Sequence, residues 1–253
     1  MFSWDNYLDS LETKKIGIIN VTNDSFSGDG TYVSHEKLLS KFEIAKKRNI
    51  KLLDVGCMST KPKFQTIDTN EESKRLDFFL QNISEYYDYS IDSFNPIVIR
   101  KAINNGFLII NDVTGFKEDR LIKIAKEEGC GMIVMHKNPN SNHLHEKMNY
   151  KNIVEEVNSH LQMQVDNLIH KGINEKQIAI DPGFGFGKTM EDSAELFLGL
   201  ENLIDTYPVI VGYSKKKFTE LLKMTNNEME EFCLKSGVSM SVSYTHLRAH
   251  ETQ

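Results

Sequence analysis

Polar side chains that could bind a flat heterocycle follow four apolar, strand-like runs of the chain. Asp92, Asn111 and Asp181 each end such a run, and Lys216 lies a few residues beyond another. Two carboxylates and an amide can accept hydrogen bonds from a donor-rich edge such as that of an aminopyrimidinone, and a lysine can donate to a ring carbonyl or imine nitrogen. A single Asp or Asn in this position is usually a helix cap or turn residue. Four together indicate heterocycle recognition rather than the acid–base pair of a hydrolase.

The glycine-rich segment 181–189, DPGFGFGKT, is similar to a phosphate-binding loop but does not match one. The pattern GxxxxGK[ST] requires glycine where Pro182 stands, and the glycines at 183, 185 and 187 do not form GxGxxG. Alternating Gly and Phe after a strand instead predict a tight turn that places the ring of Phe186 beside a flat ligand.

Other catalytic motifs have little support in this sequence. His136 directly follows an apolar run and is as consistent with a structural role as with a functional one, and metal binding by His143 or His145 is a minor alternative. The sequence contains no HExxH and no Cys/His cluster, which disfavours a zinc enzyme. Ser25 and Ser214 lack a GxSxG context, which leaves Ser-His-Asp catalysis unsupported.

The elements that must position these residues alternate along the chain. Short runs rich in Ile, Val and Leu predict parallel strands buried on both faces, and residues at helical spacing, such as Leu38, Phe42 and Ala45, predict helices between them. Repeated strand–helix units without a linker predict one domain over residues 1–253. The predicted strands are 16–21, 51–55, 89–92, 107–112, 131–135, 177–181 and 209–212.

Polar or glycine-rich residues follow every predicted strand, and this feature separates a closed barrel from an open sheet. In a (β/α)8 barrel all C-terminal strand ends surround one mouth, where active sites lie. In an open sheet the same ends would spread along a line. We therefore predict an α/β fold, the (β/α)8 TIM barrel, for which 253 residues are sufficient.

The composition excludes several classes of protein. Hydrophobic residues make up 40% and charged residues 26%, which excludes a disordered chain, and the net charge of −6 argues against a nucleic-acid or membrane-surface partner. No apolar run reaches the roughly 18 residues of a membrane span, and the first residues lack signal-peptide features. Three widely spaced cysteines form no disulfide framework, so we expect a cytoplasmic location.

Seven ordered segments resemble the signature motifs of the dihydropteroate synthase family of folate biosynthesis. The first loop, INVTNDSFSGDG, is similar to the family's NVTPDSFSDGG, and DVGCMSTKP at 54–62 is similar to DIGGESTRP. SIDS at 90–93 and IINDVTG at 109–115 resemble S-[VI]-D-T and IINDVSG. The remaining three segments, 133–136, 180–188 and 211–218, follow in the family's order.

The resemblance implies a TIM barrel that joins 4-aminobenzoate to a dihydropterin-methyl diphosphate and releases diphosphate with Mg²⁺ present. Loss of diphosphate would leave a resonance-stabilised pterin-methyl cation for the aniline nitrogen to attack, without a covalent intermediate on the protein. The motifs place Asp92, Asn111, Asp181 and Lys216 in the pterin pocket, the same four residues chosen above, with Asp92, Asp181 and Lys216 as the catalytic groups.

Further contacts are implied by the same motifs. Met135, Phe186 and Gly212 would form the pocket walls, and Asn20 would meet Mg²⁺ and the diphosphate. The residues that would serve 4-aminobenzoate and the loops around it are Asp24, Phe26, Thr60, Lys61, Pro62 and Lys217.

The loops depart from the family pattern at four positions. Asn23 replaces a proline, Met58 a glutamate, Lys61 an arginine and Lys217 a serine. The exchange of Arg for Lys keeps the charge but loses bidentate geometry. The added charge of Lys217 could still attract the aminobenzoate carboxylate.

The C-terminal segment departs further. The family's last strand ends in RVHDV, whose Arg and His bind the diphosphate or an anion, and Val242 stands where that Arg is expected. An R-x-H occurs only later, at Arg248–His250. Residues 242–252 resemble a translated sequencing adapter, so we expect the family match to end near Ser241 and the last strand and helix to be incomplete or altered.

Three functions fit these motifs unequally. An active synthase, with small-molecule substrates and a homodimeric assembly as in its family, is favoured. A methyltetrahydrofolate-binding methyltransferase domain shares the barrel and the pterin contacts, but the two loop signatures disfavour it. Met58, Lys217 and the altered C-terminus keep open a pterin-binding paralogue without catalysis.

Overall fold

Strands and helices alternate along the chain from residue 4 onward. The computed structural model describes residues 1–21, 35–58, 68–138, 146–203, 206–214 and 216–243. Its strands are β1 (Lys15–Asn20), β2 (Leu52–Gly56), β3 (Asp88–Asp92), β4 (Ile109–Asp112), β5 (Gly131–Met135), β6 (Ile178–Asp181), β7 (Ile210–Val211) and β8 (Met240–Ser243). Its α-helices are α1 (Trp4–Asp9), α2 (His35–Lys47), α3 (Thr69–Leu80), α4 (Pro96–Asn104), α5 (Asp119–Glu128), α6 (Ile153–His170), α7 (Met190–Leu198), α8 (Thr219–Leu222) and α9 (Asn226–Lys235).

The strands form one parallel sheet that curls into a nearly closed barrel. Their spatial order is β6-β5-β4-β3-β2-β1-β8-β7, and every pairing is parallel. A single parallel bridge between Ile180 and Val209 joins the two ends of this order. The predicted (β/α)8 architecture is therefore confirmed.

All seven predicted strands are present, with bounds that shift by one or two residues. β4 begins two residues later than predicted, and β7 pairs only through Ile210 and Val211, because Val209 forms the isolated bridge instead. Gln177 precedes β6, where its side-chain Nε2 donates to the carbonyl oxygens of Ala125 and Cys130. The eighth strand pairs with both β1 and β7, so the altered C-terminal sequence still supplies strand β8.

Helix α1 covers the N-terminal end of the barrel interior. Trp4 is 1% exposed, and its indole Nε1 donates to the carbonyl oxygens of Met132 and Gln177 at 3.2 and 2.9 Å. Gly131 leaves room for this segment, since a Cβ there would lie 2.8 Å from the ring of Phe2. The apolar side chains packed around Trp4 are Ile16, Leu52, Ile109, Ile133, Ala179, Ile210 and Met240.

The outward faces of the strands pack against the helices and form the larger core. α7 begins at a capping box in which Thr189 and Asp192 exchange side-chain and backbone hydrogen bonds, and α5 ends at Gly129 in the left-handed region.

Among the described helices, none combines the length and the apolar character needed to cross a bilayer.

The strand register places polar residues at one level of the opposite, C-terminal end. Asn20 pairs with Gly56, Gly56 with Asp92, and Asp92 with Asn111 across successive strands. The interior is therefore apolar at the end covered by Trp4 and polar at the other end. This second end is the mouth at which a TIM barrel carries its active site.

Candidate active site

The pterin-pocket residues predicted from sequence lie together at this mouth. Asp92 and Asn111 are paired at the ends of β3 and β4, and Asp181 ends β6 opposite Met135 of β5. Lys216 follows β7, and its charge lowers the pKa of Asp181. The structure thus brings four strand ends, far apart in sequence, into one cluster.

Asp54 is a member of this cluster that sequence reasoning did not single out. It is 7% exposed, and its carboxylate accepts hydrogen bonds from Ser90 Oγ at 2.6 Å and from Asn111 Nδ2 at 2.9 Å. Because Nδ2 of Asn111 donates one hydrogen bond to Asp54, the network assigns the other atom of the amide, Oδ1, as an acceptor available to a ligand. The signal in the sequence was the acidic strand end itself, which the second-loop motif contained.

Burial and neighbouring negative charge raise the pKa values of the carboxyl groups in this cluster. Burial is the main cause that raises the pKa of Asp54 from 3.8 to about 6, with Asp181 adding repulsion and the two hydrogen bonds opposing it. The pKa of Asp92 is raised well above its usual range, again chiefly by burial and then by Asp54, Asp112 and Glu72. Carboxyl groups this close cannot all ionise at low cost.

Asp92 has a buried oxygen that the described part of the protein leaves without a hydrogen-bond partner. Its Oδ1 is inaccessible to solvent and pairs with no donor among those residues. Buried carboxylate oxygens are nearly always hydrogen-bonded. A ligand that presents N–H groups at the mouth would satisfy this atom.

Asp181 and Lys216 form the opposite side of the pocket. The backbone N–H of Gly183 donates to Asp181 Oδ1 at 2.7 Å, which fixes the carboxylate. Burial raises the pKa of Asp181, while the charges of Lys216 and Lys188 oppose this. Burial lowers the pKa of Lys216 to about 8, and Asp181 opposes that shift.

Phe186, which the motifs assign to the pocket wall, lies beside Lys216. The Lys216 Nζ lies 4.9 Å from the centre of the Phe186 ring and donates to the carbonyl oxygen of Phe184. A Cβ added at Gly212 would lie 4.0 Å from Lys216 Nζ and 3.8 Å from Val242, so this glycine keeps space open at the mouth. Met135, buried at the end of β5, is close to the turn at Gly183.

Two oxygen atoms of the first and third strands flank Gly56 and offer ligands for a hard cation. A Cβ added at Gly56 would lie 3.1 Å from Asn20 Oδ1 and 3.4 Å from Asp92 Oδ2. Mg²⁺ is commonly bound by one or two protein oxygens together with substrate phosphates. Across the described ranges no group of three His, Cys, Asp or Glu residues is arranged to hold a metal ion.

The structure describes only some of the residues that the motifs assign to 4-aminobenzoate and the loops around it. Asp24, Phe26, Thr60, Lys61 and Pro62 lie outside the described residues. Lys217 is exposed next to Lys216. Met58, which replaces the family's Glu, is 7% exposed at the end of β2.

Replacing Asp54 by Asn tests the buried charge of the cluster. Asn can accept from Asn111 and donate to Ser90 Oγ, so the hydrogen bonds survive while the charge does not. Because the folded pKa of Asp54 is raised from 3.8 to about 6, the wild-type chain loses stability as pH rises across this window. Between pH 4 and pH 6 we expect the unfolding free energy of wild type to fall relative to that of Asp54→Asn, by at most about 3 kcal/mol.

Urea unfolding at several pH values measures this difference. Asp119→Asn is the matched control, since that carboxylate is 80% exposed on α5. If the unfolding free energies of wild type and Asp54→Asn change with pH in the same way from pH 4 to pH 6, the buried charge of Asp54 does not control stability.

Comparison with known proteins identifies the family of this chain. The sequence family described as pterin binding enzyme matches residues 16–246. A dihydropteroate synthase of Streptococcus pyogenes serotype M18 is 32% identical over 220 residues, which cover 85% of this chain and 80% of that protein.

Two solved structures are similar over nearly the whole chain. The dihydropteroate synthase of Xanthomonas albilineans with 4-aminobenzoic acid has a TM-score of 0.80 at 26% identity and covers 94% of this chain and 89% of its own. The Anaplasma phagocytophilum dihydropteroate synthase with bound 6-hydroxymethylpterin-monophosphate has a TM-score of 0.77 at 27% identity, over 92% and 93% of the two chains.

A barrel with this polar mouth and this sequence match defines a pterin-binding enzyme. Within that class, the chain belongs to the dihydropteroate synthase family.

Proposed function

We propose that this chain condenses (7,8-dihydropterin-6-yl)methyl diphosphate with 4-aminobenzoate to give 7,8-dihydropteroate and diphosphate. The observation that carries the proposal is the convergence of Asp92, Asn111, Asp181 and Lys216 at one barrel mouth. The Xanthomonas albilineans and Anaplasma phagocytophilum relatives, which hold 4-aminobenzoic acid and a pterin monophosphate, support the two substrates.

Pterin recognition follows from the donors and acceptors that the cluster leaves available. The buried oxygen of Asp92, the amide oxygen of Asn111 and the second oxygen of Asp181 can accept N–H groups from the aminopyrimidinone edge. Lys216 can donate to a ring carbonyl or imine nitrogen, and Phe186 can contact the ring face. The raised pKa values of Asp54 and Asp92 favour a shared proton, which would limit the repulsion between these two acids.

The reaction requires positioning and charge stabilisation rather than a protein nucleophile. The bond between the pterin methylene carbon and the diphosphate oxygen breaks with its electrons leaving on diphosphate. The aniline nitrogen then bonds to the methylene carbon and releases a proton to solvent. Asp92, Asp181 and Lys216 hold the ring so that this carbon faces the open mouth, which is the role of the catalytic groups.

Mg²⁺ fits this site as a partner of the diphosphate. Asn20 would hold the ion through its amide oxygen, in keeping with the oxygen pair that flanks Gly56. When bound, Mg²⁺ neutralises charge on the leaving diphosphate.

Loss of the Asn20 oxygen is expected to raise the Mg²⁺ requirement. In a chain that turns over, either as it stands or with RVHDV at 242–246, chelation should stop diphosphate release. In the same chain Asn20→Ala should raise the Mg²⁺ concentration for half-maximal rate on the order of tenfold. Asn20→Asp keeps an oxygen at this position and serves as the control. An Asn20→Ala variant with an unchanged Mg²⁺ titration would remove Asn20 from the metal site.

Diphosphate release with dihydropterin-methyl diphosphate, Mg²⁺ and 4-aminobenzoate tests the proposed reaction. The assay compares this chain with one that carries RVHDV at 242–246, made by the substitutions Val242→Arg, Ser243→Val, Tyr244→His, Thr245→Asp and His246→Val. We expect turnover that depends on aminobenzoate at least in the restored chain, because the family resemblance gives that Arg and His to the diphosphate. Pterin binding without turnover in both chains would overturn the enzymatic proposal.

A pterin-binding chain without catalysis is the second candidate. It is favoured by Val242, an apolar residue that stands in β8 beside the space above Gly212, where the family pattern has arginine. Turnover of the chain as it stands would exclude this candidate.

We also propose a cytoplasmic location and a homodimer for this chain. Cys57, Cys130 and Cys233 are free and buried, in keeping with a reducing compartment. The dimer is proposed from the resemblance to the family, and light scattering of the purified chain tests it.

A further inference from the structure

A buried lysine outside the pterin pocket holds the turn that forms one of its walls. Lys188 is 5% exposed, and its Nζ contacts three acceptors: the carbonyl oxygens of Gly183 and Phe186, at 2.9 and 3.3 Å, and His136 Nδ1, at 2.9 Å. Burial lowers the pKa of Lys188 to about 7, and the charge of Asp181 opposes this shift. The ammonium form has three N–H donors, and these contacts use all of them. The charge is therefore fully hydrogen-bonded inside the protein.

The turn that Lys188 binds carries residues of the pterin pocket at both ends. The carbonyl oxygen of Gly183 also accepts from the backbone N–H of Phe186 at 3.2 Å, which closes a tight turn after Asp181. Gly183 has a φ of +67°, and a Cβ there would lie 2.6 Å from the carbonyl oxygen of His136. The turn therefore packs directly against the residue that follows β5, and Lys188 binds two of its carbonyl oxygens.

His136 extends the network and fixes its direction. Because Lys188 donates to Nδ1 of His136, the proton of this imidazole is assigned to Nε2, which faces His160 Nδ1 at 3.3 Å. His136 is fully buried, and burial together with Lys188 and His160 lowers its pKa well below the usual range. A neutral His136 is the form that can accept from Lys188.

The geometry points to Lys188 as a positioning residue for pterin binding, acting with His136 to hold the 183–186 turn and so to place Asp181 and Phe186. This role rests on the proposed function, since it concerns the same pocket. The three N–H donors of Lys188 are directed to the turn and to His136, and its charge also favours the ionised form of Asp181. A change at Lys188 should therefore alter pterin affinity without altering the contacts made by 4-aminobenzoate.

The test uses the full chain that carries RVHDV at 242–246. It compares Lys188→Met in this chain with the same chain that keeps Lys188, which is the wild type of this test. Met matches the length of the side chain but donates no hydrogen bond, so the two carbonyl oxygens and His136 lose their partner. We expect the Kd for 6-hydroxymethylpterin monophosphate and the KM for dihydropterin-methyl diphosphate to rise on the order of tenfold. The KM for 4-aminobenzoate should stay at the wild-type value.

Three further variants separate positioning from a general effect on folding. His136→Phe removes the acceptor for Lys188, while His136→Asn places an amide oxygen near the former Nδ1 and should restore most of the affinity. The double variant Lys188→Met/His136→Phe should bind pterin no more weakly than Lys188→Met alone, because both changes break one network. Lys126→Met is the control, since Lys126 donates to the carbonyl of Lys171 on the outside of the barrel.

The outcomes distinguish this inference from the proposed function. If wild type binds the pterin monophosphate and Lys188→Met binds it equally well, Lys188 has no positioning role. A uniform loss for pterin and aminobenzoate in Lys188→Met and both His136 variants would also overturn it, because that pattern reports a damaged fold. If wild type binds no pterin, the proposed function fails first and the role of Lys188 fails with it.

Discussion

Asp181→Ala is expected to abolish measurable pterin binding. The carboxylate is fixed by the backbone N–H of Gly183 at 2.7 Å and lies beside the ammonium group of Lys216. Its removal leaves the ligand's N–H groups and Lys216 without their partner in a buried pocket. Truncation of one partner of such a charge pair costs about 2–5 kcal/mol, which corresponds to a roughly 30-fold or larger rise in Kd.

Titration of the chain with 6-hydroxymethylpterin monophosphate measures this effect. Asp181→Asn keeps the oxygen that accepts from Gly183 but places an amide donor against the donors of the ligand, so it should bind nearly as poorly as Asp181→Ala. Asp119→Ala removes an exposed acid from α5 and should leave affinity unchanged. Wild-type affinity in Asp181→Ala would mean that the pterin does not bind at this mouth.

Trp4→Ala is expected to destabilise the whole barrel while leaving the pocket intact. Trp4 is 1% exposed and fills the end of the barrel opposite the pocket, where its Nε1 binds two carbonyl oxygens. Deletion of a buried aromatic side chain costs about 3–5 kcal/mol, part of it from the cavity that remains. The pocket lies at the other end of the strands, so the folded variant should keep its pterin affinity.

Urea unfolding gives the size of this loss. Trp4→Phe retains most of the ring but leaves the carbonyl oxygens of Met132 and Gln177 without a donor, and should fall between Trp4→Ala and wild type. Met163→Ala, at a side chain 58% exposed on α6, should change stability by less than about 0.5 kcal/mol. A Trp4→Ala chain as stable as wild type would show that α1 is not needed to close the barrel.

Much of the fold was predictable because parallel strands leave a strong local pattern. Runs of Ile, Val and Leu marked seven strands, and the polar ends of those runs, including Asp92 and Asn111, indicated a common mouth. The eighth strand was obscured by a C-terminal sequence that departs from the family pattern. Its pairing with β1 and β7 depends on backbone hydrogen bonds, which its altered side chains still permit.

The role of α1 was not predictable from the same patterns. The helix spans only Trp4–Asp9, too few residues to show a periodicity. Trp4 is buried because the strands leave a hollow at their N-terminal end, and that hollow exists only after the barrel closes.

The barrel, the family motifs and the choice of Asp92, Asn111, Asp181 and Lys216 as candidate residues all followed from residue types and their spacing along the chain. The orientation and the charge of those four residues came from the folded arrangement alone. Asp54 binds Asn111 across two strand pairings, and Lys188 meets His136 from a position 52 residues away. Such contacts, and the burial that shifts the pKa values of the cluster, depend on which strands are neighbours, and no local pattern in the chain records that arrangement.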